Sequence, residues 1–281
     1  MTNPIFTSNP AFREPRRGGV RTAPTLGTTG AMTADAAALE QMYGAPAATS
    51  RDTARMTYDD VIVKTGALLA LLVAVAGVTW FVAPQLFFVG MIVGLVLGLV
   101  NAFKKVPSPG LIIAYTVAQG VFLGGLSYIV QAMVSTPGVA ADSIVVQALL
   151  ATAATFVGAL ILFRSGKVRV TARSVRFLLV AMVGYLLFSL VNVGLVWFGG
   201  MDGWGLRSEV SIMGIPLGIL IGLFAVGLAA FSLIVDFDAI KRGVEQGVPA
   251  RFAWTAAFGL IVTLVWLYVE FLRIFAILRG D

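Results

Sequence analysis

Residues 212–238 read IMGIPLGILIGLFAVGLAAFSLIVDFD, and no charged side chain occurs before Asp236. A helix rises 1.5 Å per residue and the hydrocarbon core of a bilayer is ~30 Å thick, so ~20 consecutive apolar residues suffice to cross it. This stretch therefore predicts a transmembrane helix. Six more qualify, at roughly 62–83, 86–103, 110–133, 143–164, 176–199 and 253–277. The expected fold is an all-α membrane protein, a seven-transmembrane helical bundle over residues 58–281. A largely disordered cytoplasmic tail, residues 1–57, precedes it. The second span is the shortest. The first begins after residue 60 and is too long for the apolar region of a signal peptide.

Composition agrees with that reading and narrows the chemistry. Of 281 residues, 58% are apolar and 12% charged, with no Cys and no His. A soluble domain carries roughly twice that share of charge. Thiolate metal sites, disulfides, haem–His ligation and Ser–His or Cys–His nucleophilic pairs are excluded by the missing residue types. No cofactor is expected. Function must run on carboxylates, amides, hydroxyls and helix packing.

Orientation follows from Lys and Arg in the loops, which are retained on the cytoplasmic side. If the N-terminus is cytoplasmic, seventeen of the 20 basic residues fall inside. They comprise six Arg of the tail, Lys64, Lys104 and Lys105, the group from Arg164 to Arg176, and Lys241, Arg242 and Arg251. Only Arg207, Arg273 and Arg279 fall outside. The expectation is a plasma (inner) membrane protein with its N-terminus inside and its C-terminus outside. The net charge of +6 is thus mainly a topology signal. No basic patch with interleaved aromatics suggests nucleic acid as a partner.

The tail is rich in Thr, Ala, Pro, Gly and Arg. Residues 1–30 have too little to bury and read as disordered. Two short repeats, Asn3-Pro4-Ile5-Phe6 and Asn9-Pro10-Ala11-Phe12, are either plain turns or a docking motif for a membrane-protein partner. A short helix is expected at 34–43, capped by Thr33 and ended by Gly44 and Pro46. Thr57 and Asp60 have capping-box spacing and should start the first span.

Small residues recur at four-residue spacing: Gly90, Gly94 and Gly98; Gly120 and Gly124; Gly214, Gly218 and Gly222. Such rows let helix backbones approach closely. Packing within one bundle is the plainer reading, and oligomerisation the other. Pro216 should kink or break the start of the sixth helix. Asn101, Gln119, Gln147 and Asn192 read as helix–helix hydrogen bonds.

Ionisable groups at membrane depth carry the most information, because a charge there is expensive unless paired or wet. Lys64 can snorkel to the interface. Asp236 and Asp238 lie near the cytoplasmic end of the sixth helix and point about 200° apart. Asp238 has Lys241 and Arg242 at i+3 and i+4, the spacing of surface ion pairs. Asp236 lacks such a partner and is the candidate inward-facing carboxylate. Glu270 and Arg273 share a face of the seventh helix. Either they neutralise each other, or Glu270 meets Asp236 across the interface of helices six and seven. Two carboxylates in one dry site can share a single proton, and ionised carboxylates are natural Ca²⁺ ligands.

Around these residues the chain resembles the Bax inhibitor family (transmembrane Bax inhibitor motif proteins), in its bacterial branch. The resemblance covers roughly residues 58–278 and leaves the tail outside. Asp236-Phe237-Asp238-Ala239-Ile240-Lys241 looks like the family's sixth-helix aspartate motif. Leu267-Tyr268-Val269-Glu270-Phe271-Leu272-Arg273-Ile274-Phe275 looks like its seventh-helix motif, usually Leu-Tyr-Leu-Asp-Phe. The resemblance implies seven helices, the seventh enclosed by the other six, and a cytoplasmic N-terminus. It also implies, for some members, a pH-regulated Ca²⁺ leak gated by one aspartate from each motif. That pair falls on Asp236 and Glu270, which would also hold Ca²⁺ in transit, with Arg273 and Asp238 as pair partners. Three departures stand out. The second carboxylate is Glu. The sixth-to-seventh connection, Gly243 to Arg251, is longer than usual. The second helix holds no Arg, where some members place a partner for the pair.

Three functions compete. The first is a pH-sensitive cation (Ca²⁺) leak channel, the second a proton-coupled small-solute transporter. The third is a non-conducting regulator of a membrane protease or stress pathway acting through the tail. The lipid bilayer is the common partner, and Ca²⁺ or H⁺ the permeant or regulatory ion. Inverted repeats, expected of many transporters, are not evident. No enzyme is expected. An intramembrane aspartyl protease would need Gly-x-Gly-Asp, which is missing, and a retinal protein needs a Lys in the seventh helix, where residues 253–277 have none.

Overall fold

A computed structural model describes residues 55–134, 143–168, 170–200 and 204–280. The spans are α1 (Tyr58–Val82), α2 (Phe87–Phe103), α3 (Pro109–Val134), α4 (Ile144–Arg164), α5 (Ala172–Phe198), α7 (Leu217–Glu245) and α8 (Ala253–Gly280). A short helix, α6 (Leu206–Glu209), lies between the fifth and sixth spans. These seven long helices are apolar enough to cross a membrane. The tail helix expected at 34–43 and the Asn-Pro repeats lie outside the described residues.

Local chemistry sets the starts of the helices. The Thr57 side chain accepts from the Asp60 N–H, and Asp60 returns a bond to the Thr57 N–H, completing the expected capping box. Thr171 and Ser174 build the same device at α5. Lys64 reaches back to Asp60 at 3.6 Å and lies 5.8 Å from the Trp254 ring.

Of the two expectations for Pro216, a kink or a break at the start of the sixth helix, the break is found: Pro216 stands at the N-cap position of α7, where its missing N–H is no loss. Residues 211–216 form a two-stranded hairpin instead, β1 (Ser211–Ile212) pairing with β2 (Ile215–Pro216). Its turn places Met213 and Gly214 at φ +54° and +82°, the left-handed pair that suits a two-residue hairpin. The sixth span therefore begins at Leu217, and it runs on past Asp238 to Glu245.

Helix α8 is the axis of the bundle. About 67% of its span is buried, against 6% for α5 and 11% for α2. It packs on α1, α3, α4 and α7. The expected enclosure by all six neighbours is thus only partial, since α2 packs chiefly on α3, outside α1 and α8. The glycine rows make the close contacts within the bundle. A methyl group on Gly124 would collide with the Ala76 carbonyl, one on Gly90 with the Phe122 backbone, and one on Gly222 with Ile274.

Candidate functional site

Asp236 sits in the last third of α7, on the face turned to α8. The Thr263 hydroxyl of α8 donates to its Oδ2 at 2.9 Å. Asp236 forms no ion pair among the described residues. It lines a cavity of about 590 Å³ at the end of the bundle where α7 stops and α8 starts. Helix α7 supplies Asp236, Ala239, Gly243 and Arg242, whose charge is paired with Asp238; helix α8 supplies Thr255 and Gly259, and the chain before α1 supplies Met56. That preceding segment is tied down across the α7–α8 connection. The Met56 N–H donates to the Val248 carbonyl at 2.7 Å, and Arg55 bridges Pro249. Gly247, at φ +65°, makes the turn against which the Arg55 side chain lies.

Asp238, two residues on, faces away. Its Oδ2 meets Arg242 Nη2 at 2.9 Å in an i,i+4 ion pair on the surface, as its spacing suggested. Lys241 instead approaches Glu245, at 3.9 Å.

Glu270 is 1% exposed and lies in a different environment. Arg273, one turn on, forms an ion pair with its Oε2. Tyr185 of α5 donates its phenolic O–H to Oε1, and Trp266 Nε1 donates to the same oxygen at 3.2 Å. Arg273 also donates to the Tyr185 oxygen at 2.8 Å. A second arginine joins from α6. Arg207, 2% exposed, donates to Ser189 at 2.9 Å and to Tyr185 at 3.3 Å, with its guanidinium over the Tyr185 and Phe188 rings. Its Nε and Nη1, and Nε of Arg273, have no hydrogen-bond partner among the described residues.

The two carboxylates are therefore held apart. Asp236 meets α8 at Thr263, seven residues before Glu270, which is two turns or about 10 Å along the axis. Between the two levels lie the fully buried Leu233 and Leu267 with Leu264. Of the two partners open to Glu270 in the sequence, Arg273 is the one it finds. The reason is geometric: Arg273 is one turn away on the same helix, whereas reaching Asp236 depends on how far α7 is offset along α8.

Thr263, Tyr185, Trp266, Ser189 and Arg207 escaped the sequence reading. Arg207 counted only as a loop charge. A usable signal was its place between Gly205 and an apolar hairpin, a poor site for a solvated cation. Thr263 and Tyr185 carry no such mark, because a single hydroxyl in an apolar span has no preferred partner until helices pack.

No group of three acidic side chains able to hold a metal occurs among the described residues. No curated protein matches this chain. A family model does match, and it reaches back to residue 3, so the tail that the sequence resemblance left outside belongs to the match. From residue 3 to residue 280 this seven-span protein matches the model described as Bax inhibitor 1 like, and the chain belongs to that family.

Proposed function

We propose that this protein is a pH-sensitive leak pathway for Ca²⁺ or similar cations. It would sit in a bacterial inner membrane, with the basic end of the bundle and the N-terminus facing the cytoplasm. The observation that carries this reading is Asp236. Its carboxylate has no cationic partner among the described residues and lines an open cavity between helices six and seven. An ionised carboxylate there attracts a cation and supplies one or two of the 6–8 oxygens Ca²⁺ prefers, with water supplying the others. Such a ligand set suits an ion in passage. Protonation of Asp236 removes the charge and turns an acceptor oxygen into a donor, which also rearranges its bond with Thr263.

The path beyond the cavity is closed by the leucine layer and by the Glu270 cluster. Conduction then requires α7 and α8 to separate at that layer. In this scheme Asp236 is the ion-facing and proton-sensing group, and Glu270 belongs to the far seal.

The test is Ca²⁺ flux into liposomes holding the full chain, scanned from about pH 5 to 8, beside Asp236→Asn and Asp238→Asn. Flux should fall on acidification in the wild type and in Asp238→Asn. It should lose its pH dependence in Asp236→Asn. Equal behaviour of the two variants would sink the assignment. No flux above empty liposomes would overturn conduction and favour a regulator acting through the tail.

A further inference from the structure

Helices α1 and α4 both pack against α8 but scarcely touch each other. The cause is in α3. Gly120 and Gly124 let α1 settle closely onto α3, at Val75, Ala76 and Thr79, which draws α1 away from α4. A slot of about 490 Å³ is left between them. It runs along α1 from Leu69 to Phe81, about 18 Å. Trp80 and Ser143 mark the end farther from the basic loops, and Phe156 the other.

The slot is built for hydrocarbon. Among the described residues its lining contains no ionisable side chain apart from the Tyr268 phenol. Its hydroxyls are already engaged within the protein. Ser127 and Tyr268 bond each other at 2.6 Å, Thr152 donates to the Ala148 carbonyl at 2.7 Å, and Ser143 reaches Gln131 at 3.3 Å. An occupant is thus offered apolar surface, with the hydroxyls turned to partners in the protein. The rims continue without a break into the lipid-facing surface, since Val73, Phe81 and Leu149 are 56%, 84% and 47% exposed. The length is close to one leaflet's share of a hydrocarbon core ~30 Å thick. An indole at the mouth suits the headgroup boundary.

We propose that this slot holds one acyl chain of a bilayer phospholipid, taken sideways from the leaflet on the Trp80 side, as a specific site distinct from the cavity at Asp236. The chain replaces helix–helix contact between α1 and α4. It thereby lies over a floor of α8 side chains, Ile261, Val265 and Tyr268, that are themselves buried.

Photolabelling tests this directly. The full chain is reconstituted in phosphatidylcholine vesicles doped with a phospholipid bearing a diazirine midway along one acyl chain, and adducts are mapped by mass spectrometry. Adducts should concentrate on α1 and α4 residues of the slot, above the density on the outer faces of α2 and α5. Gly77 lines the slot, and a Cβ there meets nothing within 4 Å. Gly77→Phe should therefore fill the space without displacing backbone and abolish the slot adducts. Ala153→Phe should do the same from the opposite wall. Gly184→Phe, on α5 and also without neighbours within 4 Å, should leave them intact. Slot labelling no denser than elsewhere in the wild type would overturn the proposal, whether or not the variants fold. So would labelling that survives both fillings, or labelling displaced by free fatty acid, which would assign the slot to that ligand.

Discussion

Asp236 and Glu270 sit on the same pair of packed helices, yet the structure treats them in opposite ways. At the Asp236 level α7 and α8 are about to diverge into their connection, and the gap becomes a cavity with one hydroxyl bonded to the carboxylate. At the Glu270 level α5 and α6 close over the helix pair. They surround the carboxylate with Arg273, Tyr185, Trp266 and, through Tyr185, Arg207. The first group opens on a cavity, where the proposed function places ion and proton traffic. The second is part of the packing. What the neighbouring elements place against a carboxylate in a span thus sets whether it meets a cavity or a sealed cluster.

The largest effect should come from Glu270→Gln. It strands the buried Arg273 guanidinium beside a second buried cation, Arg207, and breaking a buried ion pair typically costs about 3–5 kcal/mol. Unfolding in detergent should show that loss, and Arg207→Met in the same background should recover part of it. Unchanged stability in Glu270→Gln would erase the distinction between the two carboxylates.

Thr263→Val removes the hydroxyl bonded to Asp236 and should cost about 1–2 kcal/mol, as for hydrogen bonds to charged groups that keep some solvent. The same variant should alter the pH profile of Ca²⁺ flux while the Glu270 cluster stays intact. Asp236→Asn preserves shape and a partner for Thr263, so its stability should stay within about 1 kcal/mol of wild type. A collapse of Asp236→Asn comparable to that of Glu270→Gln would mean that Asp236 is structural too. The smallest effect belongs to Asp238→Asn. It breaks an exposed i,i+4 pair with Arg242, a loss of at most about 0.5 kcal/mol that added salt should hide.

Much of this was legible locally. The Thr57–Asp60 box, the Asp238–Arg242 pair and the Glu270–Arg273 pair all lie within one helical turn, so spacing alone brings the partners together. The start of the sixth span was misplaced by five residues because Ile212 to Pro216 are as apolar as a helix. Hydropathy does not distinguish such a stretch from a hairpin, whereas the Met213-Gly214 turn and Pro216 do. Glu270 looked like a partner for Asp236 because both lie on helices that touch. The leucines between them, not the sequence spacing, fix the offset.

By itself the sequence determined that this chain has seven membrane-crossing helices and that one end of the bundle is basic. Those properties rest on sums along the chain, namely apolar length against bilayer thickness and the count of Lys and Arg in each loop. Only the tertiary structure decided which carboxylate faces a cavity, that Arg207 is buried beside Tyr185, and that α1 and α4 stand apart. Each of these depends on axial offsets and close approaches between helices. Those are set by glycine contacts and interlocking side chains from distant segments, and no single helix encodes them.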